Sequence, residues 1–346
     1  MYTLPEKLKN MTPYEPNMEN YPIRLDANES FLDLVPKVHN AILQALAKVS
    51  LRRYPDPTAK EVCELYGAYY GVDPRYITAC NGSDEMLALL VNAFLEKDEK
   101  LCVIEPDFSM YRFYAEVTGV EVVAVQKGED FRIDPDEVVQ TLRQTGARML
   151  LFSNPCNPTS LGLNREAVRH IITNTDALVV LDEAYMDFWD QSLLNEAAQY
   201  DNLIILRTCS KVMGLAGLRL GFAVANDRLT GIIRTVKSPY NVNALTQAAA
   251  AAAFKIPKFI DVAIQLINES RNDLYLNLKQ IQPSRRFTLF ETCTNFVTVR
   301  SNYCARAFEA LKEQGILVRN FGSFLRITAG LPEQNLKIVS VLQKTI

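Results

Sequence analysis

Four stretches of this 346-residue chain carry side chains whose types and spacing could do chemistry. They are Asn81-Gly82-Ser83-Asp84-Glu85, Asn154-Pro155-Cys156-Asn157-Pro158-Thr159, Asp182-Glu183-Ala184-Tyr185, and Ser210-Lys211 followed by Gly214-Leu215-Ala216-Gly217-Leu218-Arg219. Lys211 brings an amine and Asp182 an acid. Asn157 and Tyr185 are hydrogen-bond donors, Arg219 is a guanidinium, and Ser83-Asp84 opens a helix. Each stretch follows a run of residues that reads as a β-strand. In open α/β sheets ligands bind beyond the carboxyl ends of the strands, so these scattered segments could meet in one crevice. The convergence carries the inference, because each motif alone has an ordinary explanation.

A lysine amine can form a Schiff base with an aldehyde cofactor and later act as general base. An isolated Ser-Lys would simply be a solvated lysine. Here Leu206, Val212 and Met213 make the surroundings apolar, and Gly214 and Gly217 allow close backbone approach. Asp182 ends the apolar run Ala177–Leu181. A carboxylate there is costly to bury without a cation, and a protonated pyridine nitrogen is such a cation. A helix cap or an ion pair with an arginine is the plain alternative. Glu183 competes for the role, but neighbouring side chains at a strand end point opposite ways. Tyr185 could hydrogen-bond the phenolic oxygen of the same ring, and so could Asn157, held extended by the proline after it. A phosphate would find the free N–H groups where Ser83 and Asp84 begin a helix, the Ser210 hydroxyl, and Arg219 as a charge-assisted donor. Ser83 or Asp84 could also merely cap that helix. Phe108 could stack on the ring. The anionic aromatic aldehyde that needs all these groups is pyridoxal 5′-phosphate, and on this reading the chain is an enzyme.

The elements that must position these residues follow from pattern. Short apolar runs at Tyr76–Cys80, Leu101–Ile104, Glu121–Val125, Met149–Phe152, Leu178–Leu181 and Leu203–Leu206 suit strands buried on both faces of a parallel sheet. Helical spacing at 37–49, Asp84–Leu95, Asp134–Gln144 and Asn164–Thr173 supplies the crossovers. After about 257 a long helix, Lys258–Ile281, leads to Phe287–Phe290, Phe296–Arg300 and Leu325–Thr328. The expected fold class is α/β, with a proline-rich arm at 1–35, a large ligand-binding domain at 36–256 of mostly parallel sheet flanked by helices, and a small α/β domain at 257–346. Net charge of −3 and a pI near 5.7 favour neither nucleic acid nor an anionic membrane. Alanine-rich Ala244–Phe254 is too short to span a bilayer, and no signal peptide is expected at the N-terminus. Seven scattered cysteines read as reduced thiols in a cytoplasmic protein, and two distant histidines offer no zinc site.

On these residues the chain resembles the fold-type I pyridoxal-phosphate enzymes, the aspartate-aminotransferase-like superfamily. Within it the chain is similar to the histidinol-phosphate aminotransferase family. The segment from Lys211 through Gly217-Leu218-Arg219-Leu220-Gly221-Phe222 is specific for the superfamily. Thr12-Pro13-Tyr14 with Leu25-Asp26-Ala27-Asn28-Glu29, Arg53-Tyr54-Pro55, Thr294-Asn295-Phe296, and Gly315–Arg319 with Leu325-Arg326-Ile327-Thr328 support the narrower family. The resemblance implies transamination between L-histidinol phosphate and 2-oxoglutarate in histidine biosynthesis, by a homodimer with shared sites. Tyr54 would reach the cofactor phosphate of the other subunit. Arg326 would grip the substrate's acidic group, and Arg319, Tyr14 and Asn28 would help hold the histidinol-phosphate phosphate or the glutamate side-chain carboxylate. Cys156, Ser160, Phe108 and Ser30-Phe31-Leu32 depart from the family pattern, the last near the substrate mouth. An aromatic amino-acid aminotransferase and a phosphothreonine decarboxylase would use the same cofactor residues. A ligand-binding transcription regulator would need a DNA-binding module, and the arm before Leu25 is neither long nor basic enough to be one.

Overall fold

The computed structural model describes residues 2–9, 11, 19–284 and 286–346. Thirteen strands are described: β1 (Ile23–Arg24), β2 (Ile77–Cys80), β3 (Lys100–Glu105), β4 (Glu121–Gln126), β5 (Met149–Ser153), β6 (Leu178–Asp182), β7 (Leu203–Thr208), β8 (Gly221–Val224), β9 (Thr288–Leu289), β10 (Phe296–Arg300), β11 (Ile316–Leu317), β12 (Arg319–Asn320) and β13 (Phe324–Thr328).

Seven of them form one sheet in the order β2-β8-β7-β6-β5-β3-β4. Pairs β7–β6, β6–β5, β5–β3 and β3–β4 are parallel, whereas β8 runs antiparallel to both its neighbours. Helices cover both faces of the sheet, so β5 and β7 are apolar on both sides, and β5 is buried at every position. This is the expected mostly parallel α/β architecture, with one reversed strand that the apolar pattern did not reveal.

Helices Pro135–Thr145 and Arg165–Thr173 fall where helical spacing placed them. Asp134 and Asn164 start them by accepting from the N–H groups of Asp136 and Ala167. Lys258–Ile281 is a single 24-residue helix, as expected.

The C-terminal part has a separate core, in which Leu274, Val297, Leu311, Leu325 and Ile338 are buried together with Leu25 from the N-terminal segment. β9, β10, β12 and β13 make its antiparallel sheet, and β1 pairs in parallel with β11. The segment Ile23–Leu25 is thereby stitched to the C-terminal part.

Candidate active site

The sheet order turns back on itself between β3 and β5, and the carboxyl ends of β3, β5, β6 and β7 open into a cleft of about 320 Å³. Its lining includes Asn28, Ser83, Asp84, Phe108, Asn157, Asp182, Tyr185, Ser210, Lys211, Arg219, Arg319 and Arg326. Every site residue expected from sequence is therefore in one place except two. Tyr54 is 81% exposed and stacks on Tyr240 with ring centres 4.5 Å apart, outside the cleft of its own chain. Tyr14 lies outside the described residues.

Asp182 closes β6 and is buried. The Tyr111 hydroxyl donates to its carboxylate at 2.8 Å and the Ala184 N–H donates at 3.0 Å. No lysine or arginine pairs with it among the described residues. Burial pushes its pKa up to about 7, against the lowering effect of those two donors. Glu183 points to the other side of the strand end, as alternation requires, and pairs with Arg207 at 3.1 Å. The arginine that could have explained Asp182 away is thus engaged by its neighbour.

Lys211 follows β7, and its amine lies 5.6 Å from the centre of the Tyr185 ring and donates to the Ala27 carbonyl at 3.1 Å. The Tyr185 hydroxyl accepts from the Asn28 amide at 2.8 Å, which leaves its own proton to donate elsewhere. Arg326, in the middle of β13, donates to the side-chain oxygen of Asn157 and to the carbonyl of Asp26. Holding that oxygen turns the Asn157 NH₂ into a donor with no partner among the described residues. Asn28 has a positive φ of 55°, and its side-chain oxygen accepts from Thr328 at 3.0 Å.

The helix Ser83–Phe94 begins at the cleft. Its N-cap is Gly82 and no side chain caps it, so neither Ser83 nor Asp84 is spent on capping. Asp84 instead pairs with Arg219 at 3.1 Å. A Cβ on Gly221 would stand 2.7 Å from the Ser83 nitrogen, so only glycine lets the start of β8 touch the start of this helix. The Ser210 hydroxyl accepts from Thr208 at 2.9 Å, which leaves its proton free to donate. Helix N–H groups, a hydroxyl and a guanidinium thus gather at one end of the cleft, and an acid without a cation sits deeper. These are the ends of an elongated ligand that is anionic at one end and cationic at a ring nitrogen. Pyridoxal phosphate fits that description.

Sequence reasoning missed Tyr111 and Asp107. Tyr111 lies three positions after Phe108, in the first turn of the helix Met110–Thr118, and that spacing was its only signal. Asp107 accepts from Ser153 and from the Phe108 N–H, bracing the loop after β3 against the loop after β5.

The aminotransferase class I and II family profile matches residues 21–341. The histidinol-phosphate aminotransferase of Clostridium novyi (strain NT) is 39% identical over 97% of this chain and 95% of its own length. That of Clostridium kluyveri (strain ATCC 8527) is 36% identical over 99% and 98%. A solved structure, histidinol-phosphate aminotransferase from Sinorhizobium meliloti in complex with pyridoxal-5′-phosphate, superposes with a TM-score of 0.89 at 21% identity, covering 99% of this chain and 97% of that one. The chain belongs to the aminotransferase class I and II family.

Proposed function

We propose that the protein is a pyridoxal-phosphate-dependent aminotransferase acting between L-histidinol phosphate and 2-oxoglutarate, a step of histidine biosynthesis. One observation carries the reading: a buried acid without a cation, Asp182, lines the same cleft as the Lys211 amine and the guanidiniums of Arg219, Arg319 and Arg326. Two histidinol-phosphate aminotransferases matched over nearly their whole length support the substrate.

Asp182 would hold the ring nitrogen, Tyr185 and Asn157 the phenolic oxygen, and Phe108 the ring face. The N–H groups of Ser83 and Asp84, the Ser210 hydroxyl and the Arg219 guanidinium would hold the phosphate. Once bound, the cofactor supplies an electron sink for the pair released when the substrate's α-C–H bond breaks. The Lys211 amine takes up that proton and returns it, because it is the basic group beside Tyr185. Arg326 is held at Asn157 and Asp26, and Arg319 sits opposite it in the β12–β13 ladder. Two guanidiniums suit a site that must accept a dicarboxylate and a phosphate ester in turn. Glutamate would leave its amine on the cofactor and depart as 2-oxoglutarate, and the keto phosphate that enters next would take up that amine. Asn28 and Tyr14 complete the substrate's surroundings on this reading.

The test is a set of single-turnover half-reactions, followed by the change in cofactor absorbance, with histidinol phosphate, glutamate, tyrosine and phosphothreonine. Fast conversion by the first two is expected. Tyrosine as the best amine donor would establish the aromatic aminotransferase instead, and carbon dioxide released from phosphothreonine would establish the decarboxylase.

The active form is proposed to be a homodimer in which Tyr54 completes the partner's site. An exposed tyrosine stacked on Tyr240 supports this, since such a ring is favoured at interfaces. Inactive Lys211→Ala subunits mixed with Tyr54→Ala subunits should regain activity, because one of the two sites then carries no lesion. Exchange without recovery would remove the shared site. The seven unpaired thiols support a reducing, cytoplasmic setting, and no helix of the described residues is long and apolar enough to cross a membrane.

A further inference from the structure

Phe131 is a large residue in a left-handed conformation, with φ of 60°. Bulky L-residues rarely adopt it, and it persists where surrounding contacts over-determine the backbone. The backbone of Phe131 belongs to the loop after β4, on the large sheet's side. Its ring is 5% exposed and lies among residues of the C-terminal part. Phe290 is 4.7 Å away between ring centres, Phe324 is 5.2 Å away, and the Arg300 guanidinium lies 4.2 Å above the ring. Arg300 also donates to the carbonyl of Glu129, two residues earlier, so the loop is clasped from both sides. These rings form a small apolar cluster separate from the three larger ones.

The contacts continue toward the cleft. Phe324 stacks on Phe321 at 4.8 Å with planes 11° apart. Phe321 lines the cleft, and its ring centre is 5.7 Å from the Arg326 guanidinium. That distance is within the range of cation–π attraction. Phe296 stands at 5.6 Å from the same guanidinium. The run of ring contacts Phe131–Phe324–Phe321, edge-to-face and then stacked, thus leads from the large sheet's side to a wall of the substrate cleft.

We propose that Phe131 is a positioning residue for recognition of the substrate's acidic group, acting through Phe324 and Phe321 on Arg326. The proposal rests on the reading that Arg326 grips that group. A tie that only held the two parts together could sit anywhere along their contact. This one ends on the guanidinium, and it is made by a residue forced into an unfavourable backbone region to reach it. Aromatic rings transmit position because they are rigid, and Phe131 and Phe324 are buried, while Phe321 is 39% exposed at the cleft wall.

The test uses the cofactor-loaded enzyme and steady-state kinetics with glutamate and with L-histidinol phosphate. Phe131→Ala should raise KM for both about tenfold, with kcat within about twofold, since binding of the acid and not proton transfer is disturbed. Phe131→Tyr keeps the ring and should restore KM. Phe321→Ala breaks the stack at its other end and should raise KM similarly. The double variant should be no worse than either single one, because both remove the same path. Phe131→Leu, which keeps an apolar side chain in the cluster, provides the KM reading if the alanine variant does not fold. A drop in melting temperature with KM unchanged would make Phe131 a structural tie and overturn the proposal. So would a fall in kcat alone, or fully additive effects in the double variant. Arg326→Gln tests the underlying reading separately. If it leaves both KM values unchanged, the acid-binding role of Arg326 fails and the positioning role with it. If it raises them and Phe131→Ala does not, only the positioning role fails.

Discussion

Asp182 and Glu183 are consecutive buried carboxylates that meet opposite fates. Glu183 is fully answered: Arg207, the Ser192 hydroxyl and the Leu193 N–H all contact it, and Asp187 completes the ion cluster around the same arginine. Asp182 receives two hydrogen bonds and no cation. One peptide unit separates a charge whose compensation is built into the chain from a charge left for something else to compensate. A buried acid that is answered internally marks architecture, and one that is not marks a place where a cationic atom is expected.

The open side of this pair carries the largest expected effects. Lys211→Ala should lower turnover on the order of 10⁶-fold, by analogy with removal of a reacting group elsewhere. Borohydride treatment of the wild type should label Lys211 and no other lysine. Label elsewhere would remove Lys211 from the centre of the site. Asp182→Asn preserves shape but not charge, and should cost on the order of 10³-fold in the single-turnover rate with little change in KM. An unchanged rate would erase the distinction between the two acids.

The closed side should respond in stability and not in chemistry. Arg207→Met leaves Glu183 and Asp187 buried without a cation, and should destabilise the fold by about 3–5 kcal/mol in denaturant unfolding. Turnover per folded molecule should change little. Lost turnover at normal stability would show that this side also serves the reaction.

The last effect concerns pH. In the cofactor-free protein the Asp182 pKa is raised from an ordinary 3.8 to about 7. Between those values the folded state holds a proton that the unfolded chain has released. The contribution of this group is therefore complete below about pH 3.8 and is lost as pH rises through about 7, by at most about 4 kcal/mol. Melting curves across that window should show the decline. Asp182→Asn should abolish this part of it, as should saturation with cofactor. A profile unaffected by either would mean that Asp182 is already compensated.

Most of the site was legible in sequence because its chemistry is tied to strand ends, and short apolar runs reveal strand ends well. Lys211, Asp182, Asn157 and the Ser83 helix start were found that way, and the cleft gathers them. Three features were hidden. Tyr111 serves Asp182 from inside a helix, where a buried tyrosine looks like any core residue. The apolar run at β8 carries no mark of its direction, since direction depends on the neighbouring strands. Phe131 was invisible because a left-handed phenylalanine follows from long-range packing and not from local preference. Tyr54 marks a different limit, because its proposed target belongs to another copy of the chain.

The reversal of β8 has a mechanical consequence. Because β8 runs against β7, the connection from Thr208 to Gly221 leaves the cleft edge and returns to it, and those two residues pair across the strands. Lys211 and Arg219 sit on that single clip, anchored at both ends to the same rigid sheet. Arg326 and the carbonyl of Asp26 belong to the other body, which is stitched together through β1 and β11. Any rocking of the C-terminal part would carry the proposed substrate anchor with it and leave the proposed cofactor anchors still. A catalyst that must release one product and admit a different partner in mid-cycle, without dropping what it carries between them, needs that separation of moving and stationary grips.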